Sequence, residues 1–335
     1  MKNMYKMMFT LTMMIGTIIA TSSNSWMSMW IGLEINLLSI IPLMTSIKNK
    51  MESEAAMKYF ITQAMASTMF LLAIILMLNN KELLTSTMTT SMIMDLAILT
   101  KMGAAPLHFW FPEVMEGLSW LNSTIMLTWQ KIAPMIIFMY TNKSMMLMTT
   151  IIITSMAVGG LMGINQTSMR KILAYSSINH IGWMMGIMLT NQSAWMTYFI
   201  IYSIMTTNIT MTAKEMNIFH VNQLINSMNN SKTTKIMFSL NFLSMGGIPP
   251  FIGFLPKWIT INSMIKENMM TLTLIMIMMT LVSLIFYMRI TFASSVVTTS
   301  EPINKTLSTN TPLMMTSNFI TLASLIACPM MINFI

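Results

Sequence analysis

The chain of 335 residues holds one cysteine, Cys328. A single thiol cannot build an internal disulfide framework or a multi-cysteine zinc or iron–sulfur site, so no redox centre is implied. Charge is scarce too, with Asp, Glu, Lys and Arg making up 8% of the residues. Only three histidines are present; His108, His180 and His220 lie far apart without metal-ligand spacing, and no glycine-rich nucleotide-binding pattern occurs. These absences argue against redox, metal and nucleotide chemistry on this chain.

What is present is apolar. Hydrophobic residues make up 55% of the chain and the mean hydropathy is +0.66. Apolar runs of about twenty residues recur throughout, the length that crosses about 30 Å of hydrocarbon as a helix. Runs such as FITQAMASTMFLLAIILML (60–78) show no alternation of period two, which argues against a membrane barrel. The sequence thus predicts an all-α polytopic membrane protein. Methionine is unusually abundant at 49 residues. It occupies places where Leu or Ile would serve, a bias that looks like that of AT-rich animal mitochondrial genomes. A copper carrier is disfavoured because the methionines are spread through apolar runs rather than clustered in loops.

Apolar runs and their polar punctuation predict about eleven transmembrane helices, near 7–23, 26–45, 59–78, 86–118, 123–141, 145–164, 172–190, 194–212, 236–265, 270–289 and 313–333. Lys2 and Lys6 before an apolar stretch imitate a signal peptide, but spans follow at once, so a retained first helix is expected. With this count, twelve of the eighteen basic residues fall on the N-terminal side: Lys2, Lys6, Lys48, Lys50, Lys58, Arg170, Lys171, Lys214, Lys232, Lys235, Arg289 and Lys305. Three, Lys81, Lys143 and Lys266, fall on the other. The asymmetry explains the net charge of +8 by membrane topology, with no nucleic-acid partner, and puts the N-terminus on the cytoplasm-like side.

The three remaining lysines, Lys101, Lys131 and Lys257, lie inside expected spans, where ionisable groups are costly and mark ion pathways. Prolines accompany them. Inside a helix, Pro106 would release the carbonyl of Met102, Pro134 that of Gln130, and Pro256 that of Ile252. Acceptors at membrane depth need protein or water partners, so these points read as hydration sites. Two segments are too long for one straight span and carry glycine and proline inside: 86–118, with Gly103 and Pro106, and 236–265, with Gly246, Gly247, Pro249, Pro250 and Pro256. Both are expected to be broken helices.

Burial disfavours a charged amine and a nearby carboxylate favours it. A lysine controlled by a movable acid can therefore pass its proton on. Glu34, within WIGLEINLLSIIPL (30–43), is the candidate acid. The expected relay is Glu34, Lys101, Lys131 and Lys257. His108, seven residues after Lys101, would share its face on an unbroken helix and is either a further member or a satisfied core histidine. His180 and Asp95 are assigned structural roles, and Glu113 and Glu116 solvated helix ends.

The stretches LTKMGAAPLHFWFPEVMEGL (99–118), TWQKIAP (128–134), KILAYSSINHIGWMMG (171–186) and SMGGIPPFIGFLPKW (244–258) closely resemble the subunit 2 family of mitochondrial NADH:ubiquinone oxidoreductase, respiratory complex I. The resemblance covers essentially the whole chain. It implies two inverted five-helix repeats like those of cation/proton antiporters, near 26–141 and 145–290, each with one discontinuous helix, followed by a C-terminal helix at 313–333. It also implies a Glu34–Lys101 pair, a central Lys131 and an exit-side Lys257. No cofactor is implied for this chain; FMN, iron–sulfur clusters and ubiquinone belong to other subunits. The implied neighbours are subunits 4L and 4, the lateral helix of subunit 5, and lipids such as cardiolipin. The implied location is the inner mitochondrial membrane, with the N-terminus in the matrix and the C-terminus in the intermembrane space. Bacterial relatives have three more N-terminal helices. A stand-alone cation/proton antiporter and a purely structural scaffold are the competing readings.

Overall fold

A computed structural model of the chain describes residues 2–46, 49–79, 84–141, 144–227 and 232–295. The segment 313–333 and Cys328 lie outside the described residues. Among these residues the chain is helical, with one isolated β-bridge between Ser168 and His220. It divides into two compact units, Met1–Ile151 and Ile152–Ile335.

The first unit contains α1 (Lys2–Ser22), α2 (Trp26–Met44), α3 (Lys50–Asn79), α4 (Leu84–Met102), α5 (Trp110–Gly117), α6 (Trp120–Leu127) and α7 (Trp129–Tyr140). α8 (Met145–Ile164) crosses the boundary. The second unit continues with α9 (Met169–Thr190), α10 (Gln192–Glu215), α11 (Val221–Ser227), α12 (Lys232–Gly246), α13 (Phe254–Lys266) and α14 (Met270–Ser295). In the first unit α2 packs on α1 and α3, α3 also on α4 and α5, and α7 on α4. In the second, α9 packs on α10, α13 and α14, and α12 on α10 and α14.

Six of these helices, α1, α2, α3, α8, α9 and α14, are long and apolar enough to cross a membrane by themselves. Most of the rest are shorter; α10 is long but rich in threonine, and hydroxyls along it are satisfied locally. On α10 the Oγ1 atoms of Thr206, Thr210 and Thr212 donate to the carbonyls four residues back, Tyr202, Thr206 and Asn208, at 3.0, 2.8 and 3.0 Å. Such back-bonding lets threonine sit in a buried helix without an unpaired polar group. Close helix approach comes from missing side chains: a Cβ on Gly32 of α2 would lie 2.5 Å from the backbone nitrogen of Ala20 on α1.

Segment 86–118 is divided into α4 and α5, and 236–265 into α12 and α13, by stretches that follow one local plan. Gly103 and Gly247 have φ of +74° and +75°, left-handed values that glycine adopts without steric cost. After each, two N–H groups turn back to close the preceding helix. Gly103 N donates to Thr100 O at 3.2 Å and Ala104 N to Leu99 O at 3.1 Å; Gly247 N donates to Ser244 O at 3.0 Å and Ile248 N to Leu243 O at 3.5 Å. This is the glycine stop of a Schellman motif. Proline follows three residues after each glycine, at Pro106 and Pro250, and a second half-helix starts seven residues after it, at Trp110 and Phe254.

This plan corrects two of the proline expectations. Pro106 does not free the Met102 carbonyl by breaking a helix, because Gly103 has already ended it. Pro256 lies in the first turn of α13, where an N–H is not needed, and Ile252 O accepts from Leu255 N at 3.2 Å. Pro134 lies inside α7. Segment 123–141 also differs, since α6 and α7 are separated at Thr128 (φ −113°, ψ −72°), three residues before Lys131. The Thr128 hydroxyl donates to Thr124 O at 2.7 Å.

Candidate functional site

Lys101 lies in the last turn of α4, two residues before Gly103, and is 8% exposed. The end of that helix is held from the second half-helix, where Trp110 Nε1 donates to Thr100 O at 3.1 Å. Lys131 is in the first turn of α7 and is 2% exposed. Its Nζ lies 5.7 Å from the centre of the Phe111 ring, within cation–π range. Phe111 also packs where a Cβ on Gly103 would stand, 3.2 Å from its own Cβ. The break and Lys131 therefore share a wall.

Glu34 sits on α2 and is half-buried, with its Oε2 buried and without a hydrogen-bond partner. Beside it, Gln130 Nε2 donates to Asn36 Oδ1 at 2.9 Å, joining α7 to α2 one residue before Lys131 and two after Glu34.

His108 does not share a helical face with Lys101. It lies within the break, 4% exposed, its Nδ1 3.2 Å from Pro106 O and its ring stacked on Phe109 at 4.5 Å. Glu113 is at the surface, where its Oε2 accepts from Lys58 Nζ at 2.9 Å, with Glu54 at 3.1 Å on the same amine.

In the second unit Lys257 is 6% exposed, and its Nζ donates to Gly246 O at 2.8 Å and Met245 O at 3.5 Å. A buried amine thus caps the C-terminus of α12, where exposed carbonyls favour a cation. Gly247 makes room for it, because a Cβ there would lie 2.8 Å from Nζ. A second polar centre surrounds His180 on α9. His180 is 2% exposed, its Nδ1 is 2.9 Å from Tyr198 Oη, and its ring centre is 5.1 Å from that of Tyr202. The usable signal was SSxxH, which puts Ser176, Ser177 and His180 on one face of α9. Asn241 on α12, 1% exposed, has both side-chain polar atoms buried without partners.

Each unit therefore sets amines against broken backbone in an apolar, helical surrounding. A family model for the transmembrane region of NADH:quinone oxidoreductases and Mrp antiporters matches residues 23–284. NADH-ubiquinone oxidoreductase chain 2 of Anopheles gambiae is 45% identical over 297 residues, covering 88% of this chain and 86% of that protein. The chain belongs to the NADH-ubiquinone oxidoreductase chain 2 family. Chain 2 of Aedes aegypti is 43% identical and covers 97% of both chains, and chain 2 of Mus musculus is 42% identical over 292 residues, 85% of this chain and 84% of that one. Among solved structures, a chain of respiratory complex I from Thermus thermophilus superposes with a TM-score of 0.85 at 21% identity, covering 95% of this chain and 77% of that one. A chain of the Mrp complex from Dietzia superposes at 0.74 with 15% identity, covering 84% and 59%. These two likenesses establish an antiporter-like membrane fold for this chain 2 member.

Proposed function

We propose that the chain is a proton-translocating membrane-arm subunit of NADH:ubiquinone oxidoreductase, working in the inner mitochondrial membrane with its N-terminus in the matrix. Quinone reduction elsewhere in the complex changes the charge balance at Glu34 and Lys101. Once Glu34 no longer stabilises the ammonium, Lys101 releases its proton to the next group, and the transfer continues through Lys131 to Lys257. His108 and His180 are candidates for intermediate stations, since an imidazole binds and releases protons in the neutral range. FMN, iron–sulfur clusters and ubiquinone reside in other subunits in this reading. Subunits 4L and 4, the lateral helix of subunit 5 and cardiolipin are the neighbours.

The observation that carries the proposal is the burial of Lys101, Lys131 and Lys257 beside interrupted helices. A scaffold would pack apolar residues there at lower cost. The likeness to an Mrp chain keeps a stand-alone cation/proton antiporter as the second reading, and the identity to chain 2 proteins favours the complex. The test replaces Lys131 with Gln in the assembled complex and measures protons moved per NADH oxidised. A lowered ratio with normal assembly is expected. Unchanged coupling would refute the relay, and exchange of sodium or potassium without NADH would establish the antiporter instead.

A further inference from the structure

In each helix break a side-chain donor reaches back from the second half-helix to the end of the first. After α12 it is the amine of Lys257, donating to Gly246 O at 2.8 Å. After α4 it is the indole of Trp110, donating to Thr100 O at 3.1 Å. Counted from the left-handed glycine, Trp110 is the seventh residue, where the second break has Phe254 and no side-chain donor. Lys257 is the tenth, where the first break has Glu113, paired with Lys58. The indole is packed into its place. Its Cζ2 lies 3.4 Å from where a Cβ on Gly103 would stand, and its ring is 5.8 Å from that of Tyr59 on α3. Thr100 O accepts from Trp110 Nε1 and also from Gly103 N at 3.2 Å, so both lone pairs of this carbonyl are used. Leu99 O likewise accepts from Gly103 N and Ala104 N, each at 3.1 Å. The last turn of α4 is thus held without Lys101, and among the described residues no hydrogen bond joins the Lys101 amine to it.

We propose that Trp110 is a positioning residue, a strap whose indole N–H fixes the two halves of the first break so that the Lys101 amine gains or loses its proton without the break changing. The contrast between the breaks carries this. In the second, the donor that closes the break and the ionisable group are the same atom, Lys257 Nζ. In the first, they belong to separate residues, Trp110 and Lys101. An indole N–H is a donor only and has no charge to lose, so the tie it makes does not depend on proton traffic. The titratable groups on the elements packed against α4, Tyr59 on α3 and Lys131 on α7, take no part in this bond. That a proton moves through Lys101 rests on the relay proposed above, whereas the strap itself does not.

The test compares two variants in the assembled complex. Trp110→Phe keeps an aromatic ring and loses the donor; Trp110→His loses the bulk of the second ring but can set its Nε2 at the ring position of the indole nitrogen. Amide exchange at Gly103 and Ala104, whose N–H groups close α4, should quicken about three- to tenfold in Trp110→Phe, the effect of one lost hydrogen bond, and less in Trp110→His. Protons pumped per NADH should follow the same order, with Trp110→Phe the lowest. A packing role alone reverses that order, since His removes more volume than Phe, and the reversed order overturns the proposal. Unchanged exchange in Trp110→Phe overturns it too, as does faster exchange with coupling kept while Lys131→Gln loses coupling. Should neither variant assemble, a high-resolution structure of the unsubstituted complex decides. Trp110 Nε1 on Thr100 O with the Lys101 amine off the end of α4 supports the strap, and the amine seated on the carbonyls of residues 100–102 overturns it. Failure of the relay is recognised separately, as exchange that follows the donor with coupling unaffected in both Trp110→Phe and Lys131→Gln.

Discussion

Gly247→Ala puts a methyl group against the amine that caps α12. The backbone there has φ +75°, and the added Cβ would stand 2.8 Å from both Cδ and Nζ of Lys257. A left-handed conformation costs a residue with a Cβ about 1–2 kcal/mol. Moving Nζ away from Gly246 O gives up a hydrogen bond from a charged donor, about 1.5–3 kcal/mol. Together the substitution costs roughly 2.5–5 kcal/mol at the break, a large part of the 5–15 kcal/mol that holds a typical domain folded. The adjacent Gly246→Ala is the control. Its Cβ would meet Tyr287 Cδ2 at 3.6 Å and Leu284 Cγ at 3.9 Å, both ordinary contacts, so an effect within about 0.5 kcal/mol is expected. Both variants are compared for assembled complex on native gels after graded heating and for protons pumped per NADH. Gly247→Ala should lose assembled complex at lower temperature and pump less, and Gly246→Ala should match the unsubstituted protein. Equal losses from the two, or a greater loss from Gly246→Ala, would refute the reasoning.

Gly32→Leu should lower the melting temperature of the complex, because α2 there touches the backbone of α1 at Ala20 and overpacking costs about 1–3 kcal/mol. Arg289→Ala should speed hydrogen exchange after α8, since its guanidinium donates to Ile164 O at 2.6 Å and Gln166 O at 2.5 Å; Arg289→Lys should recover only part, lacking the planar fork. Lys101→Met and Lys257→Met should separate on native gels. Lys257→Met leaves the Gly246 carbonyl buried and uncapped at about 1–3 kcal/mol, whereas the α4 end is held by Trp110, so Lys101→Met should assemble normally and lose pumping alone.

The all-helical membrane fold was legible because apolar runs of spanning length are the strongest signal a membrane chain carries. The buried amines were legible for the opposite reason, as isolated charges inside those runs. The stops were only partly so. Proline drew attention at Pro106 and Pro256, but the left-handed glycines end α4 and α12, and φ is not written in composition. The interruption at Thr128 escaped because it is a local change of backbone angle that TWQKIAP does not announce. His180 was passed over since its partner, Tyr198, lies on another helix, eighteen residues away. Asn36 and Gln130 come from α2 and α7 and meet only through packing.

The two breaks separate what the backbone requires from what the chemistry adds. Counting from the left-handed glycine, proline occurs at the third and ninth following residues in both, as Pro106 and Pro112 and as Pro250 and Pro256. The tenth residue differs in charge and in surroundings: Glu113 is exposed and paired with Lys58, while Lys257 is buried and caps α12. The second residue before the glycine differs in the reverse sense, Lys101 in the first break and Met245 in the second. Each break thus buries one lysine, but the first takes it from the half-helix before the glycine and the second from the half-helix after it. Glycine and proline spacing accounts for the interruption with either arrangement, so a structural need for the break does not explain the amines. Their opposite placement means that one amine is free of the carbonyls that end its helix and the other is bound to them. A group that must release a proton to its neighbour suits the first setting, and a group that must hold one at a fixed place suits the second.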